Sequence, residues 1–400
     1  MYHVIFAIPA VLLAFHFCVC LHRRVAIVFY RNMRWIYACF VIVLCAIIFC
    51  EYVADFVVLQ NCKWPEIRRK KYVDDPLRTM VIADPHLLGP HRGHWMDKLY
   101  REWHMKRSFQ AASRLLQPDV VFVLGDLFDE GDMVNDKHFD SYVMRYLQMF
   151  NLPAGIPLIS VVGNHDVGFH HRMHPFFTSR FEHYLNYSMV HLYTIKQIHF
   201  VMINSMAMEA DGCMFCNEAE QALKTISNTL FCMQHPHVAE CARTRRHPYS
   251  QPIIMQHFPT YRISDKVCRE HDAPHIEAFR ERYHVLSKEA TDTIGQLLKP
   301  RLAFAGHSHY YCHNINRLGI DEYTVSSFSW RNNVNPSFML ATITPDDYAV
   351  SRCKMLPQQF VINSYLSAGI ACLVLVACQL KKYWCSRRLT TSETAHLKQH

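Results

Sequence analysis

Five short constellations in the middle of the chain carry residue types that bind metal ions. They are Asp84-x-His86, Gly125-Asp126-x-x-Asp129, Gly163-Asn164-His165-Asp166, the single His257, and Gly306-His307-Ser308-His309. Carboxylate oxygen combined with imidazole nitrogen suits first-row divalent ions of intermediate hardness, such as manganese, iron or zinc. Seven candidate donors are too many for one ion and fit two that share a carboxylate. Two such ions about 3.5–4 Å apart can bridge a hydroxide and clamp a phosphoryl oxygen, which is phosphoester hydrolysis. His165 sits between candidate donors, and histidine is the natural proton donor near neutral pH.

Taken singly, each constellation has an ordinary reading. D-x-H after a strand is a turn with a surface histidine, G-D is a helix cap, and N-H-D occurs in loops. The weighting reverses because all five occur in one chain, each directly after an apolar run of β character. His91, His94, His170, His171 and His174 flank the motifs and need no role in them. Asp129 is open between a supporting position and a helix cap.

Rigid elements must bring these groups together. Short β-type runs at 78–83, 119–124 and 158–162 end at the first three motifs. Further runs lie at 199–204, 252–256, 302–305, 322–326, 338–343 and 348–353, and residues 96–116 have helical apolar spacing up to Pro118. Strand–helix alternation early and consecutive strands late predict an α/β fold, a two-sheet sandwich with outer helices. The polar groups would then converge on one sheet edge.

The rest of the chain says where such a domain would sit. Half of the 400 residues are hydrophobic and 19% are charged, which excludes a disordered or collagen-like chain. The formal charge of +8 is mild and forms no basic groove with stacking aromatics, so no nucleic-acid partner is expected. Three apolar runs stand out, at 4–21, 35–59 and 360–380. About 20 apolar residues cross a bilayer. The expected organisation is an N-terminal membrane region over 1–60 with candidate spans 4–21 and 35–59, and a globular domain over 61–355. A C-terminal transmembrane helix over 356–380 and a tail over 381–400 would complete it. Run 35–59 carries Glu51 and Asp55 near its end. Lys381, Lys382, Arg387 and Arg388 follow the last run, which puts the tail in the cytosol and the large domain in the lumen. Eight of the 16 cysteines (Cys62, Cys213, Cys216, Cys232, Cys241, Cys268, Cys312, Cys353) fall in that domain, an even set compatible with disulfides of unread connectivity. Cys213-x-x-Cys216 has zinc-like spacing without a second half, so a disulfide is the expectation. Asn186-Tyr187-Ser188 is a sequon usable in the same compartment.

The ordered series from Asp84 to His309 resembles the calcineurin-like metallophosphoesterases. The longer segments Asp84-Pro-His-Leu-Leu-Gly, Gly125-Asp-Leu-Phe-Asp-Glu-Gly, Gly163-Asn-His-Asp-Val-Gly-Phe-His and Ser327-Phe-Ser-Trp-Arg-Asn are similar to a membrane-bound branch of that family. That branch removes ethanolamine phosphate from the second mannose of GPI anchors and depends on manganese. The resemblance implies one metal on Asp84, His86, Asp126 and His309, and another on Asn164, His257, His307 and the shared Asp126. It implies His165 as the acid that protonates the leaving oxygen, with Asp166 orienting or polarising it. Implied partners are GPI-anchored proteins, the membrane and cargo-sorting machinery, in the endoplasmic reticulum exit sites, intermediate compartment and Golgi. The catalytic motifs alone leave open another phosphoester: the first-mannose ethanolamine phosphate, a nucleotide or a phospholipid. Only Lys398 lies near the C-terminus, so a dilysine retrieval signal is not expected.

Overall fold

The computed structural model describes residues 33–67, 75–186, 188–209, 211, 213–241, 247–272 and 278–396. Candidate span 4–21 lies outside the described residues. The chain divides into two compact units, one of residues 54–358 and one of the chain before and after it.

The larger unit is a four-layer sandwich. Its elements in chain order are α1 (Ala54–Leu59), β1 (Leu77–Ile82), α2 (Trp95–Leu116), β2 (Val120–Leu124), α3 (Asp136–Met149), β3 (Leu158–Val161), α4 (Asn164–Val167), α5 (Pro175–Leu185), β4 (Val190–Ile195), β5 (Ile198–Ile203), α6 (Cys216–Gln234), β6 (Ile253–Gln256), β7 (Glu270–His271), α7 (Lys288–Leu298), β8 (Leu302–Ala305), β9 (Cys312–Ile315), β10 (Asp321–Thr324), β11 (Ser337–Ile343) and β12 (Tyr348–Lys354). One sheet has the order β12-β11-β1-β2-β3, the other β4-β5-β6-β8-β10-β9-β7. Strands β1, β2 and β3 run parallel, as do β5, β6, β8 and β10, and the outer strands are antiparallel.

Alternation along each central strand builds two apolar layers at once. Val120, Phe122 and Leu124 meet Phe200, Met255, Phe304 and Met339 between the sheets. Val121 and Val123 point the other way, with Phe109, Tyr142 and Tyr146 of the helices. A strand buried on both faces reads as an unbroken apolar run, which is why 119–124 is legible in the sequence. Helix α2 stops where Gln117 turns left-handed at φ 47° with its N–H on the Ser113 carbonyl, directly before Pro118.

Four disulfides, Cys62–Cys353, Cys213–Cys216, Cys232–Cys241 and Cys268–Cys312, use all eight domain cysteines. Asp55, expected inside a span, is buried in this unit and accepts from the Ser108 hydroxyl at 2.5 Å.

The second unit holds the apolar helices up to Val53 and from Gln359. Met33–Leu59, with a π-helical turn over Phe49–Val53, and Gln358–Cys385 each hold an 18-residue stretch of mean hydropathy 2.5 and 2.0 and are long and apolar enough to cross a membrane. Within it, Tyr365 donates to Glu51 at 2.5 Å, so that acid has a partner among apolar residues. Helix α8 runs Gln358–His396, so residues 381–396, expected as a separate tail, continue the helix. No proline or glycine follows Leu380, and lysine and arginine are good helix formers.

Candidate metal centre

The central strands of both sheets end on the same side. Asp84 and His86 follow β1, Asp126 follows β2, Asn164 follows β3, His257 follows β6, and His307 and His309 follow β8. The backbone bends sharply there: Asp84, His86, Asp126, His307 and His309 all have φ between 46° and 71°. Non-glycine residues seldom adopt this region, and such strain gathers at functional sites. Gly125 and Gly163 allow the close approach. A Cβ on Gly163 would fall 2.1 Å from Asp126 Oδ1 and 2.2 Å from its backbone nitrogen.

All seven expected donors converge. Asp84, His86, Asp126 and His309 form one cluster of ligand atoms, and Asp126, His257 and His307 a second, so Asp126 belongs to both. Asn164 Oδ1 lies 3.1 Å from His257 Nε2 and joins the second cluster. Asp126 Oδ2 lies 3.4 Å from His86 Nε2 and 3.3 Å from His257 Nε2, between the two groups.

The imidazoles are wired to present lone pairs inward. His86 Nδ1 donates to Asp129 Oδ1 at 3.1 Å, His257 Nδ1 to the Leu124 carbonyl at 2.7 Å, and His307 Nε2 to the Tyr283 carbonyl at 2.8 Å. Each bond sets the tautomer and leaves the other nitrogen facing the cluster. His86 Nε2 and His309 Nε2 then stand 3.1 Å apart, and His257 Nε2 and His307 Nδ1 3.3 Å apart. Asp126 Oδ2 is buried with no hydrogen bond of its own. Lone pairs aimed at lone pairs around an orphaned carboxylate oxygen fit divalent cations.

Charge balance agrees. Burial, reinforced by Asp126, pushes Asp84 well above the usual carboxylate range. Burial opposes a charge on His257, yet Asp126 and Asp84 draw a proton onto it, up to about 9. Burial lowers His307 to about 3 and holds His309 well below the ordinary histidine value. The acids therefore call for positive charge where His257 and Asp126 meet. The donor set fits two divalent ions sharing Asp126.

His165 lies at the rim. Its backbone N–H donates to Asp126 Oδ1 at 2.8 Å, and its Nδ1 faces the Asp129 carbonyl at 2.9 Å. Burial lowers its pKa, but the charge of Asp126 outweighs that and holds it above the ordinary value. Asp166 adds to that pull through its charge, while its hydrogen bonds go to main chain and none to the ring. The Asp166 carboxylate accepts from the backbone N–H of Gly163, Leu127 and Phe128 at 2.8, 3.3 and 3.0 Å, tying the β2 and β3 loops together. The group that faces the His165 ring is the Asp129 carbonyl.

Asp129 itself braces the centre between His86 and Arg331, whose Nη1 lies 2.5 Å from Asp129 Oδ2. Burial works against its charge, and His86 and Arg331 outweigh that, holding it down at about 2. Arg331 therefore belongs to the site. One further participant, Tyr283, has no sequence signal. The Tyr283 carbonyl holds His307, and the Tyr283 ring stacks flat on Phe169 at 4.9 Å. A main-chain carbonyl in a loop leaves no mark on residue type. His170, outside the donor clusters, binds Asp211 at 2.8 Å beside the Cys213–Cys216 disulfide.

A family model described as calcineurin-like phosphoesterase matches residues 77–311. Metallophosphoesterase 1 homolog of Drosophila melanogaster is 79% identical over 360 residues, covering 90% of this chain and 97% of that protein. Metallophosphoesterase 1 of Gallus gallus is 42% identical over 343 residues, 82% of this chain and 86% of that protein. The Rattus norvegicus protein of the same name is 42% identical over 351 residues, 86% and 89% of the two chains.

Proposed function

Since this chain belongs to the calcineurin-like phosphoesterases and is a metal-dependent phosphoesterase, we propose that it removes ethanolamine phosphate from the second mannose of GPI anchors. On this reading it resembles post-GPI attachment to proteins factor five and works in the early secretory pathway with its domain in the lumen. Its partners are the GPI-anchored proteins whose glycan it trims, and the sorting machinery that exports them.

Asp84, His86, Asp126 and His309 would hold one ion, and Asn164, His257, His307 and Asp126 the other, with manganese the proposed metal. Two divalent ions held there would supply Lewis acidity for phosphoester hydrolysis. The rest falls to the chain's own groups. His165 gives its proton from Nε2 to the leaving oxygen, because its Nδ1–H is held by the Asp129 carbonyl. Asp166 keeps the two loops, and so His165, in register with Asp126. Arg331 neutralises Asp129 and so keeps that brace from adding uncompensated negative charge behind His86.

The observation that carries the substrate reading is the position of Ser327-Phe-Ser-Trp-Arg-Asn. This segment marks the membrane-bound branch and contains none of the metal donors, yet it lines the centre. Ser327 Oγ donates to the Asp84 carbonyl at 2.7 Å, and Arg331 grips Asp129. Mass analysis of GPI glycans from cells lacking the protein tests the reading. Anchors retaining ethanolamine phosphate on the second mannose are expected. An unchanged glycan profile would move the substrate to another phosphoester and leave the phosphoesterase assignment in place.

A further inference from the structure

The fold supplies the second half that the zinc-like spacing of Cys213 and Cys216 lacks in the sequence. His170, on the short 3-10 turn His170–Arg172, and Asp211 meet the two cysteines, and the four ligand atoms lie within 4.8 Å of one another. Asp211 Oδ1 is 4.0 Å from Cys216 Sγ, and Asp211 Oδ2 is 2.8 Å from His170 Nε2. Tetrahedral zinc, with sulfur at about 2.3 Å and nitrogen or oxygen at about 2.0–2.2 Å, spaces its donors about 3–4 Å apart. Small side-chain adjustments separate the cluster from that geometry. None of the four residues belongs to the two-metal centre.

Two of the donors are held in place without the sulfurs. His170 Nδ1 donates to the Met206 carbonyl at 2.8 Å, which turns Nε2 toward Asp211. Arg282 Nη1 lies 3.5 Å from Asp211 Oδ2 on another side. An imidazole nitrogen facing a carboxylate calls for a cation: a proton on Nε2 while the sulfurs are bonded to each other, a metal once they are thiolates. Of the four bridges, this one is the easiest to open. It spans 3 positions, against 9, 44 and 291 for the others, and a bridge stabilises less as its loop shortens. Cys213 is partly exposed and Met214 beside it is 71% exposed, whereas Cys216 is buried. Cys216 also opens α6, where the positive end of the helix dipole favours a thiolate and makes it the better leaving group.

We propose that His170, Asp211, Cys213 and Cys216 form a zinc site that becomes available when a dithiol reduces the Cys213–Cys216 bridge. A thiolate of the dithiol attacks Cys213 Sγ, and Cys216 leaves as a thiolate with the electron pair of the broken bond. The second thiol of the reductant then attacks the mixed disulfide. The dithiol departs as its own disulfide, oxidised by two electrons, and Cys213 is freed as a thiolate. Zinc binds both thiolates, an Asp211 oxygen and His170 Nε2. The two protons of the dithiol and the one on Nε2 pass to water. Three anionic donors around a divalent ion leave one net negative charge, which Arg282 offsets from its place on Asp211. The site is independent of which phosphoester the two-metal centre cleaves.

Cobalt(II) is the probe, because a bound thiolate gives a sulfur-to-cobalt charge-transfer band that the nitrogen and oxygen donors of the two-metal centre cannot give. The full chain in detergent is titrated with cobalt before and after treatment with dithiothreitol. Iodoacetamide labelling and mass analysis read the state of Cys213 and Cys216. The band should appear only after reduction, disappear when zinc is added, and be absent from the Cys213→Ser/Cys216→Ser double variant. Losing even a supporting partner of a metal ligand costs about 10–100-fold in affinity, so His170→Ala and Asp211→Asn should each weaken cobalt binding about tenfold or more. Turnover of bis(p-nitrophenyl) phosphate by the oxidised, manganese-loaded variants is the measure of their folding. A band equally strong in the double variant, or unchanged affinity in either His170→Ala or Asp211→Asn, overturns the proposal. So does a bridge that stays closed in excess dithiothreitol, or an open one that binds no cobalt.

Discussion

At the scale of single residues, Asp126 carries the greatest burden, because its carboxylate stands between two imidazole clusters and belongs to both. Asp126→Asn keeps the shape and removes the charge. Metal analysis of the purified full-length protein should show both ions weakened together, with activity lost. Full metal content and activity in the variant would end the assignment of a shared carboxylate. His165 is the contrasting case. Its ring is held by a carbonyl instead of pointing into either donor cluster, so His165→Gln should cut turnover about 10²–10⁴-fold while metal stays bound. Metal loss as large as in His257→Ala would make His165 a ligand. These roles differ although the two residues lie 39 positions apart and touch through a single hydrogen bond.

At the scale of elements, the donors depend on how tightly the β2 and β3 loops pack. Gly163 precedes the short helix α4, and its φ of −113° is open to any residue, so the constraint there is space and not backbone freedom. A methyl group would run into both the side chain and the backbone nitrogen of Asp126. Gly163→Ala should therefore cost about 1–3 kcal/mol of stability and reduce metal affinity, measured by thermal melting with and without added manganese. Melts and metal content equal to the wild type would mean that the loops have slack. Central strands such as β2 and β8 are legible in the sequence as short apolar runs bounded by the motif residues. Strands β4, β7 and β9 are not. Val190–Ile195 is partly exposed and carries His191 and Thr194, and Glu270–His271 is only two residues long, so neither shows an apolar pattern. Such strands exist because a neighbour offers hydrogen bonds, as β5 does for β4 over six residue pairs.

At the scale of the whole molecule, the apolar helices and the basic residues after Leu380 set the expected orientation. Protease treatment of sealed microsomes should remove a tag placed at His400 and spare the catalytic domain. A protected tag would invert that topology. The Cys62–Cys353 bridge belongs to the same scale, closing a separation of 291 residues between the two connections to the helices. Its removal in Cys353→Ser should cost about 2–5 kcal/mol, seen as a lower Tm of the full chain in detergent. An unchanged Tm would show that the sheet pairing of β12 holds that end without it.

Residue types and their order along the chain are enough to identify the donors, because each chemical group must sit at the end of a strand and a strand in a double-faced core is apolar throughout. Asp84, His86, Asp126, Asn164, His257, His307 and His309 are all legible in the amino-acid sequence by itself, and so are the apolar helices, since each is a long run of apolar residues with few charges. Tertiary structure alone decides which atoms support those donors. The pairing of Asp166 with three backbone N–H groups, the Asp129 carbonyl on His165 and the Tyr283 carbonyl on His307 are contacts to main chain, which every residue type offers equally. The disulfide connectivity likewise arises from long-range packing, where sequence distance carries no information.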